Sequence, residues 1–211
     1  MNTEQAYNIW AEQYDTNQNR TRDLEAVSIR ELLAGRKFVR VLEIGCGTGK
    51  NTEWLQSIAD EIVAVDLSEQ MLAKAREKIS SEKVEFLQAD INEAWDFALG
   101  SYDLVTFSLV LEHIDDLQAV FTKVAACLNP GGMVYVGELH PFKQYSGTKA
   151  RFDTAEGRQI VPCFNHHVSD FTGAAAAQGM QILELREYFD GGDRDGIPRI
   201  LALLFRKKAS E

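Results

Sequence analysis

The stretch Val41-Leu42-Glu43-Ile44-Gly45-Cys46-Gly47-Thr48-Gly49-Lys50 restricts this chain's fold more than any other. Apolar residues around a single carboxylate predict a buried strand, the glycines predict a turn, and Lys50 opens a helix. Glycine accepts φ > 0 and lets a ligand lie against main chain where a Cβ would intrude. At the carboxyl end of a parallel sheet, a strand–glycine loop–helix unit is a nucleotide-type binding crevice. Two familiar versions fail on spacing. The dinucleotide fingerprint wants a third glycine where Lys50 stands. The phosphate-binding loop wants glycine at Ile44 and Ser or Thr at Asn51.

The rest of the chain is read as a single α/β domain, residues 1–211, long enough for a full core. Apolar and charged fractions of 45% and 26% are those of an ordinary globular chain. A net charge of −10 argues against a nucleic-acid backbone as partner. The three cysteines, Cys46, Cys127 and Cys163, form no C-x-x-C pair, so no zinc site or disulfide framework is expected. Residues 1–10 lack the basic and apolar regions of a leader, and no apolar run reaches the roughly 20 residues that span a bilayer. The expectation is a cytoplasmic protein with no membrane partner; its oligomeric state is not legible.

Along the chain, strands are expected at 39–44, 61–67, 84–87, 102–109, 133–139, 181–189 and 199–206. Between them lie helical stripes: Ala26, Ile29, Leu32 and Leu33; Trp54, Leu55, Ile58 and Ala59; Met71, Leu72, Ala75 and Ile79; and Leu117, Val120, Phe121, Val124 and Leu128. Ser68 is a good N-cap. Residues 140–168 read as irregular and too long for an ordinary connection, hence as a functional or flexible insert. The last two strands lie too close for a crossover helix and are expected to pair antiparallel. The fold class is therefore α/β, a doubly wound seven-stranded sheet, mostly parallel with an antiparallel last strand and helices on both faces.

A family resemblance follows from five linked motifs. Glu43–Gly49 resembles the first motif of the class I (Rossmann-like) S-adenosylmethionine-dependent methyltransferases, of small-molecule type. Ala64-Val65-Asp66-Leu67-Ser68 is similar to their second motif and Gln88-Ala89-Asp90 to their third. Tyr102–Val105 through Leu111-Glu112-His113-Ile114 resembles the fourth, and Leu128–Gly132 the turn before strand five. The resemblance implies S-adenosyl-L-methionine as cofactor and methyl transfer to a small-molecule acceptor, at oxygen or nitrogen in preference to carbon or sulfur. It implies a cofactor site made of Arg22, Glu43, Gly45, Cys46, Gly47, Asp66, Leu67, Met71, Asp90, Ile91, Ser108 and His113.

The residues themselves bear on several of these positions. Asp66, about 20 residues beyond the glycine turn and at a strand end, can accept from ribose hydroxyls. Asp90, at the next strand end, can accept from the adenine amino group. Glu43 needs a partner, either loop N–H groups or the cofactor's ammonium. Arg22, preferred to Arg20, is a guanidinium for the cofactor carboxylate. Residues 1–36 are expected to form a helical lid, in which Tyr7, Trp10 and Tyr14 also fit a helix packing stripe.

On the acceptor side, Tyr14, His140 and His167 are the catalytic candidates, the histidines because they titrate near neutral pH. Aromatics and cations in the insert (Lys143, Lys149, Arg151 and Arg158) fit either an acceptor with an acidic group or an ordinary solvated loop. No metal is expected. The competing reading is a catalytically inactive cofactor-binding sensor or partner module.

Overall fold

The computed structural model describes residues 1–154 and 157–209. Seven strands make one sheet: β1 (Phe38–Ile44), β2 (Ala59–Asp66), β3 (Val84–Gln88), β4 (Tyr102–Ser108), β5 (Leu128–Leu139), β8 (Met180–Tyr188) and β9 (Ile200–Lys207). Their spatial order is β3-β2-β1-β4-β5-β9-β8. β1 to β5 run parallel, and β9 lies antiparallel between β5 and β8. This is the expected mostly parallel sheet with an antiparallel last strand. Chain order reverses direction between β1 and β4, so the crevice of a doubly wound sheet falls at the carboxyl ends of those two strands.

The central strands are apolar on both faces because helices cover both. On one face α5 (Leu117–Cys127) and α7 (Val168–Ala177) pack against Val105, Phe107, Val134 and Phe205. The ring of Phe121 meets Phe107 and Phe205 at centroid distances of 6.5 and 6.0 Å. On the other face α2 (Arg20–Leu32) sets Ile29, Leu32 and Leu33 against Tyr135, Ala202 and Leu204. Each fully buried aliphatic side chain contributes about 1.5–3 kcal/mol. α4 (Glu69–Lys78) buries Met71, Leu72 and Ala75, and its N-cap Ser68 accepts from the Met71 N–H at 3.1 Å.

Three elements differ from the sequence reading. α3 spans only Lys50–Leu55, and Ala59 already begins β2, because the Ile58 carbonyl accepts from Phe38 N–H at the base of β1. β5 starts at Leu128, with Asn129–Gly132 bulging against β4 between the Tyr102–Leu128 and Leu104–Met133 pairs. The insert is not irregular: it contains the short helix α6 (Pro141–Tyr145) and an antiparallel hairpin, β6 (Arg151–Thr154) with β7 (Gly157–Ile160).

The N-terminal 36 residues divide between two tasks. α1 (Thr3–Trp10) is fixed by an Asn2–Gln5 capping box and packs over α4, whereas α2 belongs to the sheet's core. Asn8 holds α1 to the second strand's end by accepting from the Ser68 hydroxyl at 2.7 Å. A small separate core joins α1 to the insert: Ala6, Trp10, Ala11, Met71, Phe152 and Val161. Among the described residues, no helix is long and apolar enough to cross a membrane.

Candidate functional site

The turn after β1 is built by the backbone of β2. Gly45 and Cys46 both donate to the Val65 carbonyl, at 2.7 and 3.0 Å, which folds the chain sharply across the end of the sheet. Gly45 sits at φ +71°, and a Cβ there would stand 2.1 Å from Val110 Cγ2. No other residue fits both the dihedral and the space. Gly47 N–H then donates to Asp66 Oδ2 at 2.8 Å, while Ser68 N–H donates to Asp66 Oδ1 at 2.9 Å. Each carboxylate oxygen keeps a second lone pair for a ligand. Burial raises the Asp66 carboxyl above its ordinary range, and the backbone donors oppose that rise.

Between these strand ends lies a cavity of about 740 Å³, open to solvent. It is lined by ten of the residues singled out from sequence: Tyr14, Gly45, Gly47, Asp66, Leu67, Met71, Asp90, Ile91, Ser108 and His113. Asp90 sits at its own strand end, with Oδ1 accepting from the backbone and side chain of Asn92 at 2.8 and 2.9 Å. Met71, Leu67 and Ile91 are its apolar walls, and Tyr7 and Thr3 reach it from the N-terminal segment.

The other five candidates lie outside the lining. Glu43 is buried beneath the turn, and its partner is the Thr52 hydroxyl of α3 at 2.5 Å, not loop N–H groups. Burial, with Glu25 and Asp66 nearby, pushes this carboxyl up to about 8. Cys46 points into the core under the sheet, and burial lifts its thiol well above the ordinary value. The Arg22 guanidinium is committed to main chain: it donates to the carbonyls of Tyr14 and Asn17 and lies 4.4 Å from the Tyr14 ring centroid. It therefore pins the lid segment.

Neither far histidine enters the cavity. His140 caps α6, its Nδ1 accepting from Phe142 N–H at 3.2 Å, so its Nε2 donates to Glu187 of β8 at 3.1 Å. Burial lowers its pKa, against the pull of Glu187. His167 begins α7 at the surface, with Nδ1 2.6 Å from the Tyr145 hydroxyl. Both are tied to local structure.

Sequence reasoning missed the floor of the site. Leu109 adopts φ +59°, the left-handed region that a leucine rarely occupies. Its N–H is held by the Gly137 carbonyl at 2.8 Å, and Glu138 Oε1 accepts from Val110 and Leu111 N–H, both at 2.9 Å. The buried Glu138 thus shapes the turn that meets Gly45. Burial and nearby Glu112 push its carboxyl up to about 8. A second buried network ties α2 to the site: Asn51 donates to Glu25 at 2.9 Å and to Ser108 at 3.2 Å. No sequence signal joined residues this far apart in the chain.

An S-adenosyl group fits these residues. Carboxylates with acceptor capacity to spare stand at two successive strand ends, and apolar walls lie between them. The described lining holds no lysine or arginine to bind phosphates. Among the described residues, no group of three or more His, Cys, Asp or Glu side chains could hold a metal ion.

A doubly wound sheet with β9 inserted antiparallel, and a nucleoside cavity at the reversal of strand order, define a class. The chain carries a methyltransferase domain and has the fold of the class I S-adenosylmethionine-dependent methyltransferases. Residues 42–136 match the family model described as a methyltransferase domain. An uncharacterised methyltransferase of Emericella nidulans is 27% identical over 227 residues, covering 88% of this chain and 78% of that protein. A ubiquinone biosynthesis O-methyltransferase of Xanthomonas euvesicatoria is 31% identical over 155 residues, covering 70% of this chain and 61% of its own length, so the chain spans less than two thirds of that relative. Among solved structures, an S-adenosylmethionine-dependent methyltransferase from Listeria monocytogenes, described as putative, superposes with TM-score 0.75 at 22% identity, over 88% of this chain and 99% of the other. That likeness is one of fold.

Proposed function

We propose that this protein moves a methyl group from S-adenosylmethionine to an oxygen or nitrogen atom of a small molecule. The observation that carries this reading is the chemistry gathered in one cavity: Asp66 and Asp90 from the ends of β2 and β3, with Tyr7, Tyr14 and His113 in the same lining. When bound, S-adenosylmethionine supplies an electrophilic methyl group on a sulfonium. Asp66 would hold the ribose hydroxyls and Asp90 the adenine amino group, with Met71, Leu67 and Ile91 against the base.

The protein's work in such a displacement is orientation and exclusion of water. α1 covers the cavity, and the faces of Tyr7 and Tyr14 suit a cationic centre. Relatives bearing O-methyltransferase names support an oxygen acceptor. The acceptor's acidic group, if it has one, would meet the cations of the insert, since the charged side chains that line the cavity are Asp66 and Asp90. A small acceptor, not a nucleic acid, also agrees with the net charge of −10.

The test begins with thermal shift against S-adenosylmethionine, S-adenosylhomocysteine, NAD and ATP. A ligand at 100 times its Kd is expected to add about 2.7 kcal/mol. Stabilisation by NAD alone would overturn the reading. Methyl transfer is then measured across phenols, carboxylic acids with their neutral esters, and primary amines. Binding with no product anywhere in that panel would favour a sensor over an enzyme.

A further inference from the structure

We infer that Tyr7 and His113 form the relay that takes the acceptor's proton, and that the insert decides which nitrogen of His113 receives it. This rests on the methyltransferase reading above. His113 closes the 3₁₀ turn Leu111–His113 after β4, and both side chains line the cavity. His113 Nδ1 lies 2.7 Å from the carbonyl oxygen of Pro162. A carbonyl only accepts, so Nδ1 carries the hydrogen of the neutral ring and Nε2 carries the lone pair. That lone pair faces the Tyr7 hydroxyl at 2.8 Å, which must donate to it. Burial, with Tyr14 and Glu112 nearby, raises the Tyr7 phenol well above its ordinary value, so it is a hydroxyl and not a phenolate at neutral pH.

Pro162 owes its position to the insert's exit segment, which is fastened along the same turn. Phe164 N–H donates to the Glu112 carbonyl at 2.7 Å, and His166 Nε2 donates to the Ile114 carbonyl at 2.7 Å. Seating of the insert therefore sets the tautomer of His113, a control by a neighbouring hydrogen bond that imidazoles generally obey. The other titratable groups facing this ring are Glu112, with Oε1 4.0 Å from Nε2, and Cys163, with Sγ 3.9 Å from Nδ1. Tyr14 and Asp66 also line the cavity.

The step balances without a further reactant. The acceptor's O–H or N–H bond breaks, its hydrogen passes to Tyr7 Oη, and the Tyr7 hydrogen passes to His113 Nε2. The freed electron pair forms the bond to the methyl carbon as the carbon–sulfur bond breaks, its pair staying on sulfur. His113 is left as imidazolium and returns its proton to solvent after the product leaves.

The decisive measurement is side-chain ¹⁵N–¹H correlation NMR of the histidines at neutral pH, with His113 assigned through His113→Gln. The expected spectrum shows the Nδ1–H tautomer. Tyr7→Phe is expected to move the Nε2 resonance downfield with the tautomer kept, since only its hydrogen bond is lost. Phe164→Pro removes the N–H that seats the insert and is expected to mix the two tautomers. In His113→Gln, turnover of whichever panel acceptor is methylated is expected to fall about 10²–10⁴-fold, while S-adenosylhomocysteine still binds. An Nε2–H tautomer in the unaltered protein, or an Nε2 resonance unmoved by Tyr7→Phe, overturns the relay. Failure of the unaltered protein to bind S-adenosylhomocysteine sinks the methyltransferase reading instead, and the two failures are distinguishable.

Discussion

Trp10 lies flat against Phe152, ring centroids 5.2 Å apart and planes within 15° of parallel. One ring belongs to α1, which covers the cavity, and the other to the hairpin of the insert, so the helix and the hairpin are a single packed unit. Trp10→Ala is expected to cost about 3–5 kcal/mol. A double-mutant cycle with Phe152→Ala, followed by urea unfolding, is expected to show coupling of about 0.5–1.5 kcal/mol. Strict additivity would mean that the helix and the hairpin move independently.

Gly45 is the position where the turn has least freedom. Gly45→Ala adds a Cβ at 2.1 Å from Val110 Cγ2 and imposes strain at φ +71°. The loss is expected to exceed about 1 kcal/mol. Adding Val110→Ala relieves the contact but not the dihedral, so only part of the stability returns. Full recovery in thermal melts would refute the backbone contribution.

The cofactor-free protein is expected to lose stability as pH rises from about 5 to 8. Glu43 and Glu138 each titrate near 8 in the folded chain, against an ordinary 4.5. Within that window the folded state holds protons that the unfolded state has released, so stability falls with pH. Their contribution is complete below the ordinary value and is lost as pH passes through 8. Melting temperatures across pH test this, and Glu43→Gln with Glu138→Gln is expected to flatten the slope.

Asp66 and Asp90 differ in how their loss is felt. Asp66→Asn keeps a side-chain oxygen for one backbone donor but weakens charged acceptance. Hydrogen bonds to charged groups contribute about 1.5–3 kcal/mol. S-adenosylhomocysteine affinity is therefore expected to drop at least about tenfold by calorimetry. Asp90→Ala is expected to weaken binding with little change in melting temperature, because its partner Asn92 is on the exposed surface. Unchanged affinity in Asp66→Asn would remove Asp66 from the nucleoside end.

What the sequence made legible was local. Glu43–Gly49, Asp66 and Asp90 each stand at a strand's carboxyl end, where the apolar run before them and the turn residues after them mark the place. The residues that the structure places outside the cavity are held by contacts that a linear pattern does not show. His140 was read as a base at a strand end, yet Glu187 on a strand far along the chain holds it as a cap. Arg22 was read toward a carboxylate and is occupied by carbonyls of the segment before it. The hairpin of the insert escaped because strands of four residues with mixed polarity carry no clear period. Tyr7 and His113 were both noticed, but nothing in a linear pattern puts them 2.8 Å apart.

β9 lies between β5 and β8, although β8 precedes it in the chain. During synthesis the parallel strands can pair in order, but β8 has no neighbour until residue 207 has been added. A chain halted before Ile200 would present β5 with an unpaired edge and β8 as a detached strand, both open to pairing with other chains. The ends of β1 to β4 and the turns after them contribute much of the cavity wall described above, yet the sheet that carries them closes last. For this protein, interrupted translation is thus a hazard of aggregation more than of lost chemistry.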